Sequence, residues 1–78
     1  MAILRLFASA REAAGTNRDE IDGLDVGEVL ATATDRYGQA FAAVLATSKV
    51  WVNGEPADAA TAVGPRDEVA VLPPVSGG

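Results

Sequence analysis

Hydrophobic positions along the chain follow two periods, and the change from one to the other marks out the elements. From Ile3 to Ala8 they alternate: Leu4, Leu6 and Ala8 fall on one face, Ile3, Arg5 and Phe7 on the other, as in a strand. Residues 9–14 read as a helical turn that Gly15 stops, and residues 18–22 as a short polar strand, the return arm of a first hairpin. A helix signal follows. Asp25 stands as an N-cap with Glu28 three residues on, the pattern of a capping box, and Leu24 and Val29 are placed for a hydrophobic staple. Val26, Val29, Leu30, Ala33 and Tyr37 then share one helical face, and Gly38 is expected as a left-handed C-cap.

Beyond that helix the pattern shortens. Residues 39–47 carry Phe41, Val44 and Leu45 at helical spacing and read as a packed turn or short helix. Lys49 to Val52 is a strand closed by Asn53-Gly54, a strong hairpin-turn signal. Pro56 confines the return arm to a brief edge strand, Gly64-Pro65 marks another turn, and the last strand runs from Asp67 to Leu72. Pro73-Pro74 forbids its continuation. The order is strand, strand, helix, strand, short strand, strand. With the helix as the long connection, the last strand is able to pair in parallel with the first. That arrangement is an α+β fold of β-grasp (ubiquitin-like) type: a mixed sheet crossed by one main helix, with a domain over residues 1–72 and an extended tail over 73–78.

Composition narrows the chemistry. A 78-residue chain forms one small domain. It contains no Cys and no His, which excludes disulfides, Cys/His zinc sites and a histidine-activated serine. The net charge of −5, with six basic residues scattered, argues against nucleic acid and suits a basic protein partner or simple solubility. No stretch approaches the ~20 apolar residues of a membrane span, and Met1 to Ala8 does not read as a signal peptide. The expected location is the cytoplasm. The acidic run Asp19, Glu20, Asp22, Asp25 and Glu28 lacks the spacing of a calcium loop and reads as a solvated face plus a helix cap. Asp67 and Glu68 are neighbours in a strand and point to opposite faces, poor geometry for acid–base work.

What remains is the ending, Pro73-Pro74-Val75-Ser76-Gly77-Gly78. Two prolines stiffen the exit from the sheet, and two glycines present a backbone narrow enough to thread a channel. Fully extended, six residues reach at most ~20 Å. The Gly78 carboxylate is the distinctive reactive group. It becomes an acyl donor once adenylation by ATP gives its oxygen a good leaving group, and an acyl adenylate accepts sulfur to become a thiocarboxylate.

Two segments resemble a known family. Leu6-Phe7-Ala8-Ser9-Ala10-Arg11-Glu12-Ala13-Ala14-Gly15 is similar to the N-terminal signature of the MoaD/ThiS sulfur carriers. Asp67-Glu68-Val69-Ala70-Val71-Leu72-Pro73-Pro74-Val75-Ser76-Gly77-Gly78 resembles the ending of the MoaD type, the small subunit of molybdopterin synthase. The resemblance implies an adenylating enzyme that uses ATP and magnesium, a sulfurtransferase that supplies sulfur, and a large synthase subunit that receives the tail. In a heterotetramer of that kind the thiocarboxylate gives its sulfur to cyclic pyranopterin monophosphate. Catalytic residues and cofactors would belong to those partners, and this chain would bind none. Gly78 would carry the reactive group and Gly77 would let the tail thread.

Partner contacts are expected at Phe7, Arg11, Leu72, Pro73, Pro74, Val75 and Ser76. Phe7 and Leu72 lie opposite the core faces of neighbouring strands and would form an exposed apolar patch. Arg11 matches the family motif and reads equally as an interface residue or a salt-bridge former. The chain departs from the family where Leu6, Val71 and Leu72 replace aromatic residues common in relatives. Three other readings stay open: a carrier for thiamine, cysteine or tRNA thiolation, a ubiquitin-like modifier joined through Gly78, and a binding module with an inert tail. Lys49 is the sole lysine through which side-chain-linked copies would be built.

Overall fold

A computed structural model describes residues 1–74; Val75, Ser76, Gly77 and Gly78 lie outside the described residues. Five strands form one sheet: β1 (Ala2–Leu6), β2 (Arg18–Ile21), β3 (Lys49–Val52), β4 (Glu55–Pro56) and β5 (Glu68–Leu72). Their order across the sheet is β2-β1-β5-β3-β4. β1 and β5 run parallel in the centre, and all other pairs are antiparallel. Three helices accompany the sheet: α1 (Ala8–Ala14), α2 (Val26–Tyr37) and α3 (Gln39–Leu45). The β-grasp expectation holds, with Pro56 on the edge strand, where a missing donor costs no ladder bond.

The alternation at the start of the chain sets the core. Ala2, Leu4 and Leu6 of β1 and Val69 and Val71 of β5 are buried on one sheet face, joined by Val26, Val29 and Ala33 of α2 and Phe41 of α3. The strand ends at Leu6, two residues earlier than the alternation suggests. Ala8 is exposed and takes φ 50, which breaks the extended line and starts α1. α1 closes at Gly15 with φ 76, whose N–H reaches the Arg11 carbonyl.

The capping box forms with a shift. Asp25 Oδ1 accepts from the Glu28 N–H at 2.8 Å, while Glu28 Oε1 accepts from the Leu24 N–H at 3.0 Å, one residue upstream of the cap. No staple forms: Leu24 is 78% exposed while Val29 is fully buried. The Leu24 carbonyl instead accepts from the Val63 N–H, which ties this turn to the loop ahead of β5 and directs the side chain outward. Gly38 has positive φ but not the left-handed helical conformation; at φ 93 and ψ −167 it turns the chain directly into α3. That conformation belongs essentially to glycine. Residues 39–45 are therefore helix, held by buried Phe41, whose ring meets Tyr37 edge-on at 5.3 Å.

The acidic run is not simply a solvated face. Asp19 accepts from the Arg36 guanidinium at 2.7 Å and from the Tyr37 hydroxyl, fastening β2 to the end of α2. The Tyr37 hydrogen bond, followed by that of Arg36, holds the Asp19 carboxyl below its ordinary value of 3.8. Burial, then the hydrogen bond to Asp19, pushes the Tyr37 hydroxyl from 10.0 to about 12. The two groups act at opposite ends of the pH range. Asp19 stabilises the fold fully above its unfolded value, and that contribution disappears as pH falls through the lowered folded value. Tyr37 contributes fully below its unfolded value near 10 and loses the contribution as pH rises toward 12. Tyr37→Phe, which keeps the ring and removes the hydroxyl, is expected to cost about 1 kcal/mol at neutral pH. In thermal melts across pH it should also flatten the alkaline decline; an unchanged profile would show that this contact does not fasten β2 to α2.

Candidate functional site: the open sheet face and the chain exit

All the buried sheet positions face the helices, so the opposite face has no covering layer among the described residues. Register places its side chains in rows. Arg18, Arg5, Ala70, Trp51 and Pro56 align across the five strands, with Glu20, Ile3 and Glu68 beside them. An Arg5–Glu68 pair at 3.7 Å and an Arg18–Glu20 pair at 3.6 Å give this face a polar flank. Both are exposed and contribute little to stability. Toward the other end the face becomes apolar.

Phe7 and Leu72 meet at that apolar end. β1 and β5 pair at Leu6–Val71, and Phe7 and Leu72 stand one position further along each strand. Phe7 keeps an extended backbone (φ −124, ψ 155) and is 42% exposed, while Leu72 is half-buried and pairs across to Lys49 on β3. The turn at Ala8 leaves Phe7 on the open face by sending the following residues into α1. By register the two expected partner residues stand side by side on this face, Phe7 exposed and Leu72 half-buried. Ile3 lies on the same face, as the alternation predicts, and Ala70 and Trp51 join it there. Their signal was the same alternation, read for the face that does not enter the core.

Arg11 is exposed on α1 and takes part in no ion pair among the described residues, so the salt-bridge alternative does not hold there. The two prolines differ. Pro73 is buried by its own chain and Pro74 is exposed. The packed body therefore extends one residue past Leu72, and Pro73 anchors the exit rather than offering a free contact surface. Pro74 is the last described residue; the expectations for Val75, Ser76, Gly77 and Gly78 fall outside the described residues. Among the described residues no group of His, Cys, Asp or Glu is placed to hold a metal ion, and no helix is long and apolar enough to cross a membrane.

A family model described as the ThiS family matches residues 4–78, which include both the Phe7 segment and the whole exit. The chain belongs to the ThiS family. Solved structures agree with this over nearly the full length. The crystal structure of SAMP1 from Haloferax volcanii is 33% identical, with 99% of this chain and 98% of that chain covered and a TM-score of 0.82. The solution structure of small archaeal modifier protein 1 from Methanosarcina acetivorans is 32% identical, with coverage of 99% and 95% and a TM-score of 0.88. A Pyrococcus furiosus protein, provisionally described as molybdopterin converting factor subunit 1, is 25% identical, with coverage of 95% and 97% and a TM-score of 0.82. No curated protein matches the chain. The chain is thus a ubiquitin-like carrier of the ThiS/MoaD type.

Core and face residues in this ThiS-family chain should separate cleanly on substitution. Leu6→Ala removes a fully buried side chain and is expected to cost about 2–5 kcal/mol. Phe7→Ser should change stability by less than about 0.5 kcal/mol. Denaturant titration of both variants tests this. Equal losses would mean that Phe7 is a packing residue and not part of an open docking face.

Proposed function

We propose that this chain is the sulfur-donating small subunit of a molybdopterin synthase. An adenylating enzyme activates the Gly78 carboxylate with ATP and magnesium, and a sulfurtransferase supplies the sulfur that converts the acyl adenylate into a thiocarboxylate. The tail then delivers that sulfur to cyclic pyranopterin monophosphate in the large synthase subunit. The observation that carries this reading is the chain exit. A buried Pro73 and an exposed Pro74 follow the central strand directly and lead into Val75-Ser76-Gly77-Gly78. The likeness to the Pyrococcus protein described as molybdopterin converting factor subunit 1 supports the molybdopterin reading.

The geometry divides the labour. Pro73 fixes where the tail starts, and the prolines restrict its first dihedrals, so less conformational freedom is lost when it enters a partner's channel. Gly77 and Gly78 let the backbone approach the partner's reacting centre closely. Phe7, Leu72 and Trp51 offer the apolar contact area beside that exit, with Arg11 at the rim. Adenylation, sulfur transfer and ring chemistry fall to the partner enzymes. A cytoplasmic setting, where ATP and such enzymes are present, suits the sequence.

The likeness to the two archaeal modifier proteins favours a second reading, in which Gly78 is joined to amines on other proteins. Both readings share the acyl adenylate and differ in the nucleophile that follows. Intact mass spectrometry after incubation with an adenylating enzyme, ATP and a sulfur source is the direct test. The expected result is replacement of one carboxylate oxygen by sulfur, abolished by deleting Gly78. No such gain, with an enzyme shown to be active on another carrier, would overturn the sulfur-carrier reading.

A further inference from the structure

We propose that Asn53 is a site of spontaneous deamidation that the fold holds closed, and that its conversion to a carboxylate unlatches the β3–β4 hairpin from β5. Asn53 and Gly54 form the tip of that hairpin, and both are exposed. Gly54 has no side chain to shield its amide nitrogen, and a Cβ added there would meet nothing within 4 Å. In a free chain such a pair is reactive, because the Gly nitrogen attacks the Asn side-chain carbonyl unhindered. Here the pair is restrained.

The restraint is a clamp on both ends of the side-chain amide. Asn53 Nδ2 donates to Asp67 Oδ1 at 2.9 Å, and Asn53 Oδ1 accepts from the Glu68 N–H at 2.9 Å. An ionised carboxylate only accepts and a backbone N–H only donates, so these partners fix which way the amide faces. The Asn53 N–H also donates to the Glu68 carbonyl at 2.9 Å. Asp67 is held in turn, because its Oδ2 accepts from the Gly64 N–H at 2.7 Å. The hydrogen bond from Asn53, followed by that from Gly64, keeps the Asp67 carboxyl below its ordinary value of 3.8, so it is charged at neutral pH. With its amide turned toward β5, the Asn53 side chain is not free to swing Cγ back onto the Gly54 nitrogen. Attack requires the hairpin tip to lift, a local opening rather than global unfolding.

The chemistry balances with water alone, and nothing is oxidised or reduced. The Gly54 nitrogen gives its proton to solvent and attacks Asn53 Cγ. A C–N bond forms, the Cγ–Nδ2 bond breaks, and Nδ2 takes up a proton and leaves as ammonia. Water then opens the succinimide at either carbonyl, giving an aspartyl or an isoaspartyl residue at position 53. Both products lack the donor to Asp67 and bring a second negative charge beside it. The clamp therefore does not close again. Modification accumulates in chains that have opened, and it loosens the start of the strand that ends at the chain exit.

The test follows the full chain in mildly alkaline buffer by peptide mapping, counting aspartyl and isoaspartyl product at position 53. Folded wild type should react several-fold more slowly than the same chain in urea. Asp67→Asn keeps an oxygen for the Gly64 N–H and turns an amide toward Asn53, which opens the clamp. Its folded form, checked by circular dichroism, should react several-fold faster than folded wild type, with equal rates in urea. Asn53→Asp should lower the melting temperature, and adding Asp67→Asn to it should restore most of the loss by setting a donor against the new carboxylate. Wild type that reacts equally fast folded and in urea would overturn the gating, as would a folded Asp67→Asn no faster than wild type. Asn53→Asp as stable as wild type, or a double variant no more stable than Asn53→Asp, would overturn the unlatching.

Discussion

Parallel pairing of β1 with β5 joins the beginning of the chain to its end, and nearly everything else in the structure accommodates that pairing. Parallel strands need a long connection, and here nearly the whole chain serves as one. Leu4, Leu6, Val69 and Val71 are fully buried at this seam, each worth about 1.5–3 kcal/mol when removed from water. In a chain of 78 residues those few side chains are a large share of the core. The helices lie over that buried face. The other face is left open, and the exit of β5 stands beside the end of β1.

Function follows from the same pairing. Phe7 and Leu72 are neighbours because their strands are neighbours, and the tail starts where they meet. Under the proposed function, a partner docked on the open face would meet the start of the tail beside it. The ties around the seam maintain this geometry. Asn53 exchanges hydrogen bonds with Asp67 and with the Glu68 backbone, holding the β3–β4 turn to the start of β5. Asp19 fastens β2 to α2 on the far side.

Features set by neighbouring residues were legible in the sequence. The Asp25–Glu28 cap, the Asn53-Gly54 turn with φ 51 and 83 and the edge placement of Pro56 follow from local chemistry, and the β1–β5 pairing follows from the order of the elements. Side-chain contacts between distant residues were not legible. Asp19 finds Arg36 and Tyr37 seventeen and eighteen residues away, and no spacing rule announces such a pair. Leu24 looked like a staple residue, but a backbone bond from Val63 turned it outward. The burial of Pro73 is likewise a matter of packing that its neighbours in sequence do not announce.

The central claim is that this chain carries sulfur for a molybdopterin synthase, and a single-turnover reaction tests it most directly. The chain, loaded as the Gly78 thiocarboxylate, is mixed with a large synthase subunit and cyclic pyranopterin monophosphate, and both the chain and the pterin are followed by mass spectrometry. The account predicts that the thiocarboxylate returns to carboxylate as the dithiolene forms, with two loaded chains consumed for each product because a dithiolene holds two sulfurs. A chain that keeps its sulfur, beside a large subunit active with another carrier, would contradict the account.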